Sequence, residues 1–194
     1  VHLTIQDDWA GALCARSMRY KTLAPLAHHM SDKTIKAVFS LDVTSDGMRK
    51  YYKRRTGVDS VVIHPVIPAQ LPEPVDQFAS DKLTVGHAGS LYAVGDFVKF
   101  AKAVAAFAGH NQRTAEIQMW GPSLAAKELP ARIREMVTIR PACEEPKLVG
   151  ELARCHFLYA MYPFSRSLRT FARTSLPTKL STYVQAQRPI LAHG

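Results

Sequence analysis

Apolar runs of strand length alternate with segments of helical period along this chain, and the alternation breaks once, at Pro65-Val66-Ile67-Pro68-Ala69-Gln70-Leu71-Pro72-Glu73-Pro74. Four prolines in those ten residues exclude a regular helix or a central strand, because proline lacks an N–H and fixes φ. Strands separated by helices need crossover connections, so each side of the prolines predicts a mainly parallel sheet covered by helices. The expected fold class is α/β in two domains: residues 1-66, a linker at 67-82, and residues 83-194.

In the first segment Val1–Ile5, Ile35–Ser40 and Ser60–His64 read as strands. Leu13, Ser17, Tyr20 and Leu23 give residues 10–30 a helical spacing that Pro25 is expected to break or kink, and a second helix is expected to begin at Ser40 and end at Gly57. Three strands are few for an independent sheet domain. Residues 1-66 therefore read as the second half of a Rossmann-like domain, and the chain as a piece cut at both ends from something longer. Asp7 and Asp8 follow the first strand at its carboxyl end, where open α/β sheets keep their ligands; Asp8 equally suits the cap of a helix beginning near Trp9.

The second segment offers strands at Leu83–His87, Ile117–Trp120, Val137–Ile139, Phe157–Met161 and Pro189–Leu191. Phe97, Phe100, Ala101, Val104, Phe107 and Ala108 form the apolar stripe of a core helix. Further helices are expected at Ala125–Met136, around Lys147–Arg154, and across Leu180, Tyr183, Val184 and Ala186, with Pro177 in the last one's first turn. Gly89 and Ser90 follow a strand directly, where a glycine either admits a ligand to the backbone or only permits the turn. Residues 165–175, with Ser165, Arg166, Arg169 and Arg173, read as an anion-binding loop or a solvated one. Thr178 and Lys179 fall at a helix start, where free N–H groups suit a phosphate.

The net charge of +9 favours an anionic partner. No nucleic-acid module or aromatic base platform is present, so nucleic acid is not expected. Tyr51 and Tyr52 stand among Arg49, Lys50, Lys53, Arg54 and Arg55, which reads either as a solvated helix face or as a peripheral contact with an anionic membrane surface. Cys14, Cys143 and Cys155 are too few and too scattered for a disulfide framework, which fits a reducing, cytoplasmic location. No apolar run approaches the roughly 18 residues of a spanning helix, and no signal peptide is evident. His28 and His29 do not suit a shared metal ligand set, and neither metal nor cofactor is expected.

Pro177-Thr178-Lys179-Leu180-x-x-Tyr183-x-x-Ala186-x-Arg188-Pro189-Ile190-Leu191 resembles the nucleotide-sugar motif of retaining glycosyltransferases with the GT-B fold, and Asp7-Asp8-Trp9 adds to the likeness. The resemblance implies two Rossmann-like domains with an active site facing the cleft between them. It also implies transfer of a sugar from a nucleotide diphosphate donor to a hydroxyl acceptor. Gly89, Ser90, Gly121, Ser165, Arg173, Thr178, Lys179 and Thr182 are then the donor-binding candidates, and Asp7 and Asp8 the catalytic ones. Thr182 stands where the family motif has a glutamate for the ribose hydroxyls, Thr174 where its companion acid falls, and Gln187 where a glycine ends the helix. The alternative reading is a non-catalytic binding or scaffolding module of the same fold.

Overall fold

The computed structural model describes residues 1–8, 10, 21–67, 71, 81–91, 93–121, 128–162, 166 and 169–193. Most of residues 67–82 thus lies outside the described residues, as do Trp9, Cys14 and Ser165. Two compact units emerge: Val1–Pro65 with Phe164–Pro177, and Val66–Pro163 with Thr178–Gly194.

Unit 1 contains β1 (His2–Ile5), α1 (Ala24–Lys36), β2 (Ser40–Val43), α2 (Asp46–Thr56), β3 (Val61–Val62) and, from the later segment, α6 (Arg169–Thr174). The three strands form a parallel sheet in the order β1-β2-β3. Helices α1 and α2 lie side by side, joined by Arg55 of α2 and Asp32 of α1 at 2.9 Å. Ile35, Leu41, Val43, Met48 and Tyr52 make the core of that layer.

Pro25 stands in the first turn of α1, where proline's missing N–H is harmless, and Thr22 and Leu23 just before it form a turn, so a break falls there as expected; residues 11–20 of that run lie outside the described residues. Other boundaries differ from expectation. Ile35 is buried from the end of α1, and the strand follows at Ser40–Val43, where Leu41 and Val43 alternate inward. Ser45, not Ser40, caps α2: its Oγ accepts the Met48 N–H at 3.0 Å.

The same Ser45 hydroxyl donates to the Thr174 carbonyl, and the Arg173 carbonyl occupies the place a Cβ would take on Gly47. These contacts explain why α6 packs with unit 1. Its segment was expected to be a loop, and to belong with residues 83-194.

Unit 2 is a five-stranded, all-parallel sheet in the order β6-β5-β4-β7-β8, made of β4 (Lys82–Ala88), β5 (Thr114–Trp120), β6 (Val137–Arg140), β7 (Phe157–Met161) and β8 (Ile190–His193). Its helices are α3 (Val94–His110), α4 (Ala131–Arg134), α5 (Glu145–Leu152) and α7 (Lys179–Gln185).

The sheet is buried on both faces. Leu83, Val85, Ile117, Met119 and Tyr159 pack against α3 and α4, while Trp120, Leu158 and Ala160 pack against α5 and α7. Phe97, Phe100, Ala101, Val104 and Ala108 form the buried stripe of α3. Phe107, expected in that stripe, is 59% exposed. It stands one heptad after Phe100, and each heptad drifts about 20° off a straight helix face. Val184, expected in the stripe of α7, is likewise exposed.

Candidate functional site

The connections of unit 2 determine where a ligand fits. From β4 the chain steps through β5 to β6 on one side, then crosses back to place β7 and β8 on the other. The order therefore reverses beside β4, and the carboxyl ends of β4 and β7 border the crevice that such a reversal opens.

Gly89 is the first residue past β4 and has φ +84°, a conformation that favours glycine. Its N–H donates to the Trp120 carbonyl at 2.9 Å, which ties the turn to the end of β5. Gly121 follows β5 in the same way, with φ +60° and its N–H on the Arg140 carbonyl at 3.2 Å. A side chain at Gly121 would press on Ala142, since its Cβ would come within 3.3 Å of that residue's.

Lys179 reaches the first of these turns from α7. Its Nζ lies 4.0 Å from the place a Cβ on Gly89 would take. Burial lowers the ammonium's pKa from 10.5 to about 8. Below it His87 is fully buried on β4, its Nδ1–H donating to the Tyr159 carbonyl at 3.0 Å. Burial, and then the Lys179 charge, lower the imidazole's pKa to about 4, so it is neutral at physiological pH.

Tyr183 holds α7 against the sheet. Its hydroxyl accepts the Ala88 N–H at 2.9 Å and donates to the Tyr159 carbonyl at 3.1 Å. One residue before it, the Thr182 hydroxyl donates to Glu145 Oε1 at 3.0 Å, and Gln185 Nε2 donates to the same oxygen at 3.3 Å. A carboxylate from the start of α5 thus stands against the position where the motif lacks its own.

No protein-family model and no curated protein sequence matches the chain. Solved structures do match its fold. A mutant of S. aureus TarM, in complex with fondaparinux, alpha-GlcNAc-glycerol and UDP, superposes with a TM-score of 0.57 at 12% identity, over 86% of this chain and 32% of that one. AviGT4, a glycosyltransferase involved in avilamycin A biosynthesis, gives 0.53 at 19% identity over 79% and 44%. The GtfA/B complex gives 0.54 at 10% identity over 87% and 33%. The fold is that of the GT-B glycosyltransferases. The chain spans 32% to 44% of these neighbours' lengths.

Within this GT-B arrangement the expected site residues separate into groups. Gly89, Ser90, Gly121, Thr178, Lys179 and Thr182 belong to unit 2, at the strand ends and on or beside α7. Thr178 precedes α7 without a side-chain capping bond. Arg173 belongs to unit 1, with an exposed side chain, and Ser165 is outside the described residues.

Asp7 is exposed just past β1. Asp8 is fully buried; its Oδ1 accepts the Tyr52 hydroxyl at 3.3 Å, and its Oδ2 has no hydrogen-bond partner among the described residues. Thr174 is buried with its hydroxyl on the Thr170 carbonyl at 2.8 Å. Gln187 adopts φ +53°, the left-handed conformation expected of the glycine it replaces.

Sequence reasoning missed His87 and Glu145. Only the buried end of a strand signalled the first, and nothing local signalled a contact spanning 37 residues for the second.

Proposed function

We propose that this chain is part of a glycosyltransferase that moves a sugar from a nucleotide diphosphate donor to a hydroxyl acceptor with retention at the anomeric carbon, unit 2 holding the donor. The observation that carries the reading is the meeting of the Lys179 ammonium with the Gly89 turn beside the reversal point of the sheet. A cation partly withdrawn from water acts strongly on an anion, and a turn without a Cβ leaves room for phosphate oxygens.

In the reaction the bond from the anomeric carbon to the donor's phosphate oxygen breaks, and its electron pair stays on the diphosphate. The acceptor oxygen bonds to that carbon and gives up its proton. Lys179 offsets the charge growing on the leaving diphosphate, an effect worth most where the cation is already in place. Ser90 and Gly121 line the donor, and the Glu145 carboxylate, oriented by Thr182 and Gln185, takes the ribose hydroxyls. Of the two catalytic candidates Asp7 is favoured, because it is exposed past β1, whereas Asp8 is buried and braces α2 through Tyr52. The cation in this proposal is Lys179, and no metal is invoked.

A second reading, a non-catalytic module of the same fold, draws on Asp8 and Thr174, both buried and engaged in internal hydrogen bonds. Calorimetric titration of the full chain with UDP, GDP and their sugars distinguishes the two. UDP is the first probe because a TarM complex contains it. Saturable, base-selective binding that weakens on the order of tenfold or more in Lys179→Ala, and weakens with salt, is the expected outcome. Binding without sugar transfer to any hydroxyl acceptor selects the second reading; a folded chain that binds no nucleotide overturns the donor site.

A further inference from the structure

Unit 1 carries an exposed apolar stripe on α1. Leu23, Leu26 and Met30 are 51%, 59% and 54% exposed, and their spacing of three and then four residues lines them along one side of α1. Lys33 extends that line by another turn, with exposed His29 and Lys36 beside it. The opposite side of α1 buries Ile35 and pairs Asp32 with Arg55 of α2 at 2.9 Å, so the two helices lie side by side. Asp32, the acid of α1, is thereby turned inward.

The exposed residues of α2 are also mainly basic. Arg49 and Lys53 are paired with Asp46 and Asp59. Lys21, Lys33, Lys36, Lys50 and Arg54 are exposed and form no ion pair among the described residues. Single exposed apolar residues are ordinary, but a stripe of them framed by unpaired cations is the pattern of a helix that rests on a charged interface.

We propose that α1 lies in the plane of an anionic lipid surface, with Leu23, Leu26 and Met30 entering the headgroup boundary and Lys33, Lys36, Lys50 and Arg54 meeting lipid phosphates. The stripe is a convex helix ridge, not a groove that a peptide could fill. Its long, flexible side chains suit a fluid surface, where lysine and arginine stems lie along apolar matter while their heads stay at the phosphates. The cations supply charge complementarity to the lipid, and they discourage a second copy of the same face.

The test is sedimentation of the full chain with vesicles of phosphatidylcholine alone or with about a third phosphatidylglycerol. Strong partition onto the anionic vesicles, weak partition onto the neutral ones and loss at high salt are expected. Two double variants, Leu26→Asp with Met30→Asp and Lys33→Glu with Lys50→Glu, are each expected to lower partition on the order of tenfold while circular dichroism is unchanged. Leu26→Ala with Met30→Ala, which keeps helix propensity, is expected to fall between them and the parent. Failure to partition onto anionic vesicles, or equal partition of parent and both variants, overturns the proposal. A dimer seen by light scattering that Leu26→Asp dissolves, without vesicle binding, assigns the stripe to self-association instead. None of these outcomes depends on whether nucleotide binds to unit 2.

Discussion

Lys179 is subject to two opposed demands. The proposed chemistry needs its positive charge, while burial lowers its pKa to about 8 from the 10.5 it has when solvated. Between those values the unfolded chain holds a proton that the folded chain has released, so folding stability rises as pH climbs from about 8 to 10.5. Below about 8 the penalty of the buried charge is present in full. Lys179→Met keeps the stem and removes the charge. At pH 7 it should gain about 1 kcal/mol of stability, lose the pH dependence in that window, and lose UDP affinity; urea unfolding at pH 7 and pH 10 with parallel calorimetry checks all three. A destabilised Lys179→Met would mean that the ammonium holds the fold together instead of serving a ligand. The sequence pointed to Lys179 because a lysine after proline and threonine at a helix start is a local pattern. Its partner His87 and the nearby Glu145 came into view only with the tertiary structure, since their roles depend on residues tens of positions away.

At the scale of the element, α7 is short, and Tyr183 is its buried residue. Tyr183 is fully buried and carries two hydrogen bonds, one from the Ala88 N–H of β4 and one to the Tyr159 carbonyl of β7. Tyr183→Phe keeps the ring and leaves the Ala88 N–H buried without its acceptor. The expected loss is about 1–3 kcal/mol in chemical denaturation, with a weaker UDP affinity because the helix that carries Lys179 is less firmly placed. An unchanged affinity beside a lost stability would separate the placing of α7 from its packing. Elements with strong periodicity, such as the stripe of α3, were legible in the sequence. Those decided by distant contacts were not: α6 looked like a basic loop because its reason to be ordered, the Ser45 hydroxyl and the space above Gly47, lies more than a hundred residues earlier. Ser40 was expected to begin α2, but it opens β2, where Leu41 and Val43 alternate inward, and Ser45 caps the helix instead.

The proline-rich stretch announced two α/β units, and the division by contacts falls at Pro65. What composition did not announce is how unequal they are. Unit 2 buries both faces of a five-stranded sheet, with Val85, Phe97, Ile117, Met119, Leu152 and Leu158 almost wholly excluded from solvent. Among the described residues of unit 1 the core is one helical layer on three strands, of which β3 has only two residues, and the strands' other side chains include His2, Thr4, Ser40 and Asp42, His2 meeting both Ser40 and Asp42 at 2.7 Å. Apolar burial is the main favourable term in folding, so the smaller core should open at lower free energy. Amide hydrogen exchange of the full chain is expected to show Leu41 and Val43 exchanging at least about tenfold faster than Val85, Ile117 and Leu158, the difference that roughly 1.4 kcal/mol in opening free energy produces. Equal protection in the two sets would show that they open together as one cooperative body. In that case the stability lost in Tyr183→Phe would appear in the strands of unit 1 as well as in those of unit 2.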